Sequence, residues 1–343
     1  MATRQSSAKA PILALLLLAP LIGEVLPGAT RLSYLFVLIP EIMVWGCAAL
    51  LIREAVRRRG GGWPNILALG LALAVAEEFV IQQTSLAPLA WAAADKSYGR
   101  FFGVNWVWLL AMLGFESVWV AAVPIQLTEL LVQDRRGELW LRRRGMAIAG
   151  AVFCLGSFIA WFAWTQHART DVFHAPQYTP PLASILVGVA IVVILTVAGL
   201  SWPIRRTGTG RFHAPWPALT GAVAFILAAG WFFLIGIAYG SMPNLPVWIP
   251  LAGGVAWAAA AFAGVWTCSA APGWNDRHRF SVVFATVAAA FGAALTAKGW
   301  KTSDLIIDIM LGVMSLAGLT LLARRIRARV SNLEFANKVG QRQ

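Results

Sequence analysis

The sequence predicts an all-α fold, a polytopic transmembrane helix bundle of about ten spans with both termini in the cytoplasm. Three observations lead to this fold class. Of the 343 residues, 59% are hydrophobic and 13% charged, with a mean hydropathy of +0.70, whereas soluble domains carry about 25% charged residues. Ten apolar runs approach the roughly 20 residues that a helix needs to cross a bilayer. The basic residues also alternate between successive connections, as in a topology signal. A soluble enzyme and a disordered chain are therefore excluded.

The predicted spans follow one another without a soluble domain between them. Backbone polar groups in a bilayer must be satisfied within their own segment, so each run is expected to be a helix. We expect one integral membrane domain over 1–343, with an acidic half at about 10–132, a scaffold half at about 146–323 and a cytoplasmic tail at 324–343. The spans lie at about 10–26, 33–53, 65–83, 104–132, 146–165, 182–202, 216–239, 246–268, 280–297 and 303–323.

The first run is preceded by Arg4 and Lys9, like the apolar part of a signal peptide. No convincing cleavage site of small residues follows it, and Glu24 and Pro27 come next. We therefore predict a retained first helix, with Glu24 at its solvated outer end.

The connections give the orientation. With the N-terminus in the cytoplasm, 22 of the 28 Lys and Arg residues fall in cytoplasmic segments, which predicts a multi-pass protein of the cytoplasmic membrane. These residues flank spans rather than cover one domain face, so no nucleic-acid partner is expected. The expected partner is the lipid bilayer, with anionic headgroups at the arginine clusters 57–59 and 142–144. Glu54 and Glu129 are expected to pair with arginines near them.

Carboxylates inside the spans carry the functional prediction, because ionisable groups in a membrane usually face a cavity or a protein interior. Glu24 ends the first helix, Glu41 lies in the second, Glu77 and Glu78 in the third, Glu116 in the fourth and Asp308 in the tenth. At about 1.5 Å per residue, all of them fall between the midplane and the outer face. We therefore expect a shared, outward-facing acidic cavity. Several carboxylates in such a site cannot all stay ionised, which suits proton exchange, cation binding or a general base.

Spacing within the helices refines this prediction. Glu77 and Glu78 differ by about 100° around a helix, so different roles are expected for them. Glu78 and Gln82 share a face at i, i+4, which predicts that Gln82 is an amide partner of Glu78. Pro40 and Pro124 are candidate kinks that would free backbone carbonyls for a site.

The outer connections and later helices add little chemistry. The aromatic segment 84–103 is expected to lie at the membrane interface or to fold back toward the bundle. The segment 166–181 holds His167 and His174 but is expected to be a polar loop, so neither a metal nor a cofactor is predicted. Helices five to nine carry almost no acidic residues, which predicts a scaffold. Asp304 and Asp308 share a face, so a salt-bridged helix end is an alternative for that pair.

Two short motifs resemble those of intramembrane proteases of the CAAX-protease and bacteriocin-processing type. The family's Glu-Glu-x-x-x-Arg motif corresponds to Glu77–Gln82, with Gln in place of Arg. Its Phe-x-x-x-His motif corresponds to Phe115–Trp119, with Trp in place of His. In that family a Glu and two His residues position a water that attacks a peptide bond. The four His residues of this chain all lie in predicted loops, so the resemblance implies a degenerate site.

The chain is also similar to a group of bacterial ten-helix membrane proteins of no established activity. The similarity lies in Leu51–Glu54 and in the stretch from Tyr98 to Trp108. Glu116 stands where that group is expected to have His. This resemblance implies a fold but no reaction.

Three functions remain open at this point. The preferred one is a transporter that moves a proton, a cation or a small coupled solute through the acidic cavity. An intramembrane hydrolase with Glu77 or Glu78 as base is the second. The third is a non-catalytic membrane subunit with a protein partner. Any ATP hydrolysis would come from that partner, because the chain has no GxxxxGK[ST] motif.

Overall fold

The structure is a computed structural model that describes residues 9–90, 98–202, 208–238, 245–296 and 301–340. It is 78% helical and confirms the predicted all-α helical bundle. The ten long helices are α1 Lys9–Pro20, which continues as a π-helical turn at Leu21–Val25, α2 Ser33–Arg58, α3 Trp63–Ile81, α4 Trp106–Leu131, α5 Arg143–Val172, α6 Leu182–Ser201, α7 Pro217–Ala238, α8 Trp248–Cys268, α9 Asp276–Thr296 and α10 Thr302–Gly340. Within the described residues, nine of them (α2 to α10) are long and apolar enough to cross a membrane, whereas α1 is shorter.

Four of these helices change their hydrogen-bonding pattern along their length. α2 begins within the 3₁₀-helix Leu32–Val37 and then runs as α-helix Leu38–Glu41, π-helix Ile42–Gly46 and α-helix Cys47–Arg58. In α3, α-helix Trp63–Ala76 passes into π-helix Glu77–Ile81. In α4, α-helix Trp106–Phe115 is followed by π-helix Glu116–Ala122 and α-helix Val123–Leu131. In α5, α-helix Arg143–Phe162 ends in π-helix Ala163–Val172. A further 3₁₀ turn spans Gln133–Arg135.

A small hairpin precedes α4. Its strands are β1 Arg100–Phe101 and β2 Val104–Asn105, paired antiparallel with Arg100 opposite Asn105. Gly103 closes the turn with φ +77°, a left-handed conformation that glycine adopts without steric cost. The hairpin brings Asn105 to the start of α4, next to the segment that follows α3.

Two helices extend beyond their predicted ends. α10 was expected to stop near residue 323 but runs to Gly340, so the described part of the predicted tail 324–343 is helical. The chain between Gly318 and Gly340 contains no proline or glycine to end a helix. α5 continues to Val172 instead of ending near residue 165, because its last ten residues form a π-helix. Loss of hydrophobicity marks where a helix leaves a membrane, not where it ends.

The bundle has an inner and an outer layer. In the most apolar stretch of each helix, 72% of α3 and 67% of α4 is buried, against 11% of α6 and of α8. α1 also belongs to the interior, where Leu15 and Ala19 are fully buried. α6 and α8 are apolar on all sides and leave large side chains such as Leu186 and Val255 exposed, as expected of helices that face lipid. The helices of the predicted acidic half are therefore the buried ones.

Glycines allow the inner helices to meet backbone to backbone. A Cβ on Gly46 in α2 would lie 2.6 Å from the backbone oxygen of Leu16 in α1. A Cβ on Gly70 in α3 would lie 2.9 Å from the Cα of Ser117 in α4. Small residues at such contacts are the usual means of close helix approach in membranes. They bring the helices that carry the acidic residues close to one another.

A buried ion network ties the end of α2 to the end of α4. The guanidinium of Arg53 lies 2.5 Å from Glu54 and 3.2 Å from Glu129, and all three side chains are at most 1% exposed. Arg57 Nη2 lies 2.5 Å from Glu129 Oε2. The Arg53 guanidinium also stacks 3.5 Å over the Trp140 ring. The predicted pairing of Glu54 and Glu129 with nearby arginines is confirmed, and it occupies Arg57, one of the expected headgroup ligands.

Candidate carboxylate site

Glutamates lie at four of the π-helical turns in the described chain. Glu24 lies in Leu21–Val25, Glu41 directly precedes Ile42–Gly46, Glu77 and Glu78 open Glu77–Ile81, and Glu116 opens Glu116–Ala122. A π-helix bonds i to i+5 and is rare, occurring mostly as single turns that are frequent at functional sites. The N–H of Gln82, for example, donates to the carbonyl of Glu77 at 2.9 Å.

The two predicted kink prolines border these turns. Pro40 lies two residues before Ile42–Gly46, and Pro124 lies two residues after Glu116–Ala122. Proline has no N–H, so Pro124 leaves the carbonyl four residues earlier without an α-helical partner. That loss favours a wider turn on the N-terminal side of the proline, where Glu116 lies.

The structure brings the five glutamates into one cluster. Glu24 interacts electrostatically with Glu41 and Glu77. Glu116 interacts with Glu77, Glu78 and Glu24. Glu41, Glu77, Glu78 and Glu116 are each at most 5% exposed, and Glu24 is half-buried. Four helices, α1 to α4, thus contribute carboxylates to one buried region, which we call the carboxylate cluster.

Glu78 is held by several hydrogen bonds from the segment that follows α3. Its Oε2 accepts from the hydroxyl of Thr84 at 2.6 Å and from the hydroxyl of Ser85 at 2.5 Å. The backbone N–H of Ser85 and the indole N–H of Trp108 also donate to the Glu78 carboxylate. The indole lies 3.2 Å from the Thr84 hydroxyl as well. Glu78 therefore has one fixed position in the cluster.

Glu77 and Glu41 have far fewer donors than Glu78. Neither carboxylate oxygen of Glu77 receives a hydrogen bond from the described residues, although the side chain is 3% exposed. Glu41 accepts from the hydroxyl of Thr30 through Oε1, while its Oε2 has no donor in the same part of the chain. The different roles expected for Glu77 and Glu78 thus have a structural counterpart, because only Glu78 is bonded.

The segment after α3 folds back into the bundle. This was one of the two arrangements expected for residues 84–103, the other being a position at the membrane interface. Thr84, Ser85 and Leu86 are at most 5% exposed without being helical. Non-helical backbone at membrane depth is tolerated where protein buries it or where it lines a cavity. We call residues 83–90 the re-entrant segment. The described chain starts again at Tyr98, and nothing is described for 91–97.

Three residues donate hydrogen bonds to the backbone carbonyls of the re-entrant segment. The side-chain amide of Asn105 donates through Nδ2 to the carbonyls of Thr84 (3.0 Å) and Ala87 (2.6 Å). The backbone N–H of Asn105 donates to the carbonyl of Ser85 (2.8 Å). Arg100 donates to the carbonyl of Leu86 at 2.7 Å, and Arg169 to that of Pro88 at 2.8 Å. Five consecutive carbonyls, 84 to 88, therefore each have a donor. The segment that binds Glu78 is itself fixed in place, and no motif or spacing in the sequence pointed to the role of Arg169.

The structure does not support the predicted pairing of Glu78 with Gln82. The donors to Glu78 are Thr84, Ser85 and Trp108, and Gln82 is not among them. The prediction assumed an α-helix, in which residues four apart share a face. Residues 77–81 instead form a π-helix with five-residue hydrogen bonding, so the i, i+4 relation no longer applies.

No electrostatic interaction among the described residues joins Asp308 to the carboxylate cluster, so its place in the expected shared cavity stays a prediction. Its side chain is 3% exposed. One turn earlier, Asp304 accepts a hydrogen bond from the Ser33 hydroxyl at 3.1 Å. This face of α10 therefore packs at the start of α2. Glu24, for which a solvated helix end was the other expectation, lies in the cluster.

Phe115 and Trp119, the two ends of the second protease-like motif, serve packing here. Trp119, which replaces the motif His, is 2% exposed and donates its indole N–H to the carbonyl of Thr286 at 3.0 Å. Its ring stacks on Phe115 at 5.6 Å and meets Phe232 edge-on at 4.8 Å. Of the four histidines, only His278 is buried, and its Nε2 bonds the carbonyl of Pro215 at 2.7 Å. Donors of the protease type are thus missing from the cluster.

Within the described residues, no group of three His, Cys, Asp or Glu side chains is arranged to hold a metal ion. The glutamates of the cluster are close enough to interact electrostatically, but they are not arranged as the ligands of a metal ion.

No family model, no curated protein and no solved structure matches this chain.

Proposed function

We propose that this chain is a ten-span protein of the cytoplasmic membrane, with both termini in the cytoplasm, that transports a small solute coupled to a proton or a cation. The carboxylate cluster formed by Glu24, Glu41, Glu77, Glu78 and Glu116 is the proposed coupling site. Asp308 is left out of the site, because among the described residues no electrostatic interaction joins it to the other carboxylates.

One observation carries the proposal: four helices direct five carboxylates to one buried region. Isolated charges are costly in a membrane interior, and those that persist usually mark ion pathways or proton relays. A purely structural role would be expected to pair each carboxylate with its own donors, as Glu54 and Glu129 are paired elsewhere in the molecule. Glu77 has no donor among the described residues.

The surroundings of the cluster also favour transport. Sites in secondary transporters are commonly built where helices are interrupted near the middle of the membrane. Here α2 and α4 change to π-helical bonding at the glutamates, and α3 does so just before the non-helical re-entrant segment. The apolar helices α5 and α6 pack against the turn that carries Glu77 and Glu78.

The proposal can be tested in proteoliposomes that contain the full chain. Wild type, Glu116→Gln and Asp308→Asn are given an inward gradient of H⁺ or of Na⁺ and a panel of radiolabelled amino acids, amines and sugars. We expect wild type to accumulate at least one solute under one gradient and Glu116→Gln to lose that accumulation at least tenfold. Asp308→Asn is the matched control, because it neutralises a buried carboxylate outside the cluster and should retain uptake.

Two results would contradict the proposal. Equal uptake by Glu116→Gln and wild type would remove the cluster from the transport pathway. Absence of gradient-driven accumulation for every solute, with all proteins folded, would favour a non-catalytic subunit instead. The hydrolase hypothesis has less support, since Trp119 fills the place of a ligand with a packed indole.

A further inference from the structure

Within the carboxylate cluster, Glu77 and Glu78 are adjacent in sequence but differ completely in bonding. Glu78 receives hydrogen bonds from two hydroxyls, a backbone N–H and an indole. Glu77 receives none from the described residues, although it is equally buried. Two equally buried carboxylates in the same turn therefore have opposite hydrogen-bonding environments. The bonding of Glu78 suits a fixed anion, whereas that of Glu77 does not.

The groups that face Glu77 are carboxylates. Glu78 lies beside it on the same turn, and Glu24 and Glu116 interact with it from α1 and α4. α5 and α6 pack against this turn. α6 contains no ionisable residue between Leu182 and Ser201, and the α-helical part of α5 contains only Cys154 and, at its first residues, Arg143 and Arg144. Like charges in a low-dielectric region cannot all be ionised together. An anionic Glu77 would face repulsion without any of the hydrogen bonds that normally stabilise a buried charge.

A bound metal cation would relieve that repulsion, but the ligands are not placed for one. Metal ions such as Mg²⁺ and Ca²⁺ take six or more oxygen ligands at about 2.0–2.6 Å. The described residues contain no group of three acidic or histidine side chains that could hold a metal. A proton needs only one carboxylate oxygen, and a protonated carboxylic acid supplies its own O–H donor.

We propose that the coupling ion is a proton, that Glu77 is the residue that carries it, and that Glu78 is a positioning residue that anchors the re-entrant segment. The claim that this proton drives transport rests on the proposed function, whereas the claim that Glu77 is protonated does not. Glu24 and Glu116, which interact with Glu77 and with each other, are the neighbouring groups to which the proton passes. In that transfer an O–H bond of one carboxylic acid breaks as an O–H bond forms on the next carboxylate.

The neighbouring pair Glu77→Gln and Glu78→Gln provides the test, because each removes one ionisable group and keeps the shape of the side chain. Difference infrared spectra of the purified full chain at neutral pH, in H₂O and D₂O, report protonated carboxylic acids. We expect Glu77→Gln to lose an acid band that Glu78→Gln retains. If Glu78→Gln folds poorly, Ser85→Ala removes a donor to Glu78 and takes its place. Identical acid bands in wild type and Glu77→Gln would overturn the assignment of the proton.

Ion specificity is measured on the same proteins. Proteoliposomes loaded with a pH-sensitive dye and given an inside-negative potential should acidify at least tenfold more slowly with Glu77→Gln than with Glu78→Gln. Thermal unfolding of wild type should be the same in Na⁺, K⁺ and choline at equal ionic strength. A rise in Tm with Na⁺ that Glu77→Gln abolishes would show a metal cation at the site and overturn the choice of proton. A Glu77-dependent acid band without solute accumulation would refute transport and leave the proton site standing.

Discussion

The ion network between α2 and α4 permits a prediction with a magnitude. Glu129 is 1% exposed and accepts from Arg53 Nε at 3.2 Å, from Arg57 Nε at 2.7 Å and from Arg57 Nη2 at 2.5 Å. The change Glu129→Ala removes all three contacts at once. It leaves the guanidinium of Arg53, which is fully buried, without one of its two carboxylate partners.

Removal of one partner from a buried ion pair costs about 3–5 kcal/mol, because the remaining charge stays out of water. Two features place Glu129→Ala at the low end of that range. Arg53 keeps Glu54 and the carbonyls of Arg136 and Glu138, at 2.7 and 2.8 Å. The side chain of Arg57 is 16% exposed and regains some water. We therefore expect the free energy of unfolding to fall by about 3 kcal/mol.

The assay is equilibrium unfolding of the purified protein in mixed micelles, followed by circular dichroism. Asp134→Ala is the matched control, because it breaks the Arg329–Asp134 pair, whose side chains are 46% and 76% exposed. Exposed pairs contribute about 0–1 kcal/mol. A Glu129→Ala cost as small as that of Asp134→Ala would refute the reasoning that burial makes this network stabilising.

Three further predictions concern packing, the re-entrant segment and topology. Gly46→Ala places a methyl group 2.6 Å from a backbone oxygen of α1 and should lower the free energy of unfolding by about 1–3 kcal/mol in the same assay. Gly150→Ala is its control, because the new Cβ lies in open space; it should leave the free energy of unfolding unchanged or raise it by up to about 1 kcal/mol. Asn105→Leu removes the amide donor to two buried carbonyls of the re-entrant segment and should cost at least about 2 kcal/mol; an unchanged Tm would contradict this. In a background with the three native cysteines replaced, an impermeant maleimide added to intact cells should label Phe102→Cys but not Gly137→Cys, and the reverse labelling would invert the predicted orientation.

The helices could be predicted from the sequence because hydrophobicity alone decides which segments enter a membrane. The choice of Glu41, Glu77, Glu78 and Glu116 required only that charged groups stand out in apolar runs, and the structure brings these four together. The direction in which a side chain points is a different matter. It depends on the number of residues in each turn, and a π-helical turn contains more residues than the α-helical turn that spacing arguments assume.

The predictions that used local spacing therefore failed where the turns change. Gln82 was paired with Glu78 on an α-helical face that does not exist at residues 77–81. Glu24 was expected at a helix end, but the turn at Leu21–Val25 carries the helix onward and directs the glutamate inward. Asp308 is a different case, because only its neighbour Asp304 has a described partner, Ser33 at the start of α2. Which helices lie next to one another cannot be read from local spacing.

The π-helical turns also suggest why the carboxylates occur where they do. Such turns are less favourable than α-helix and persist where the surrounding structure holds them. Here a close contact does so, because a Cβ on Gly23 would lie 2.7 Å from Val120 Cγ2, which joins the turn of Glu24 to the turn of Glu116. Return of either turn to α-helical bonding would rotate its glutamate away from the cluster. A turn that switched between π- and α-helical bonding would have the two discrete arrangements that alternating access to a buried site requires. We expect Gly23→Val to separate Glu24 from Glu116 and to reduce proton movement more than it reduces stability. A loss of both in proportion would show that the contact serves only packing.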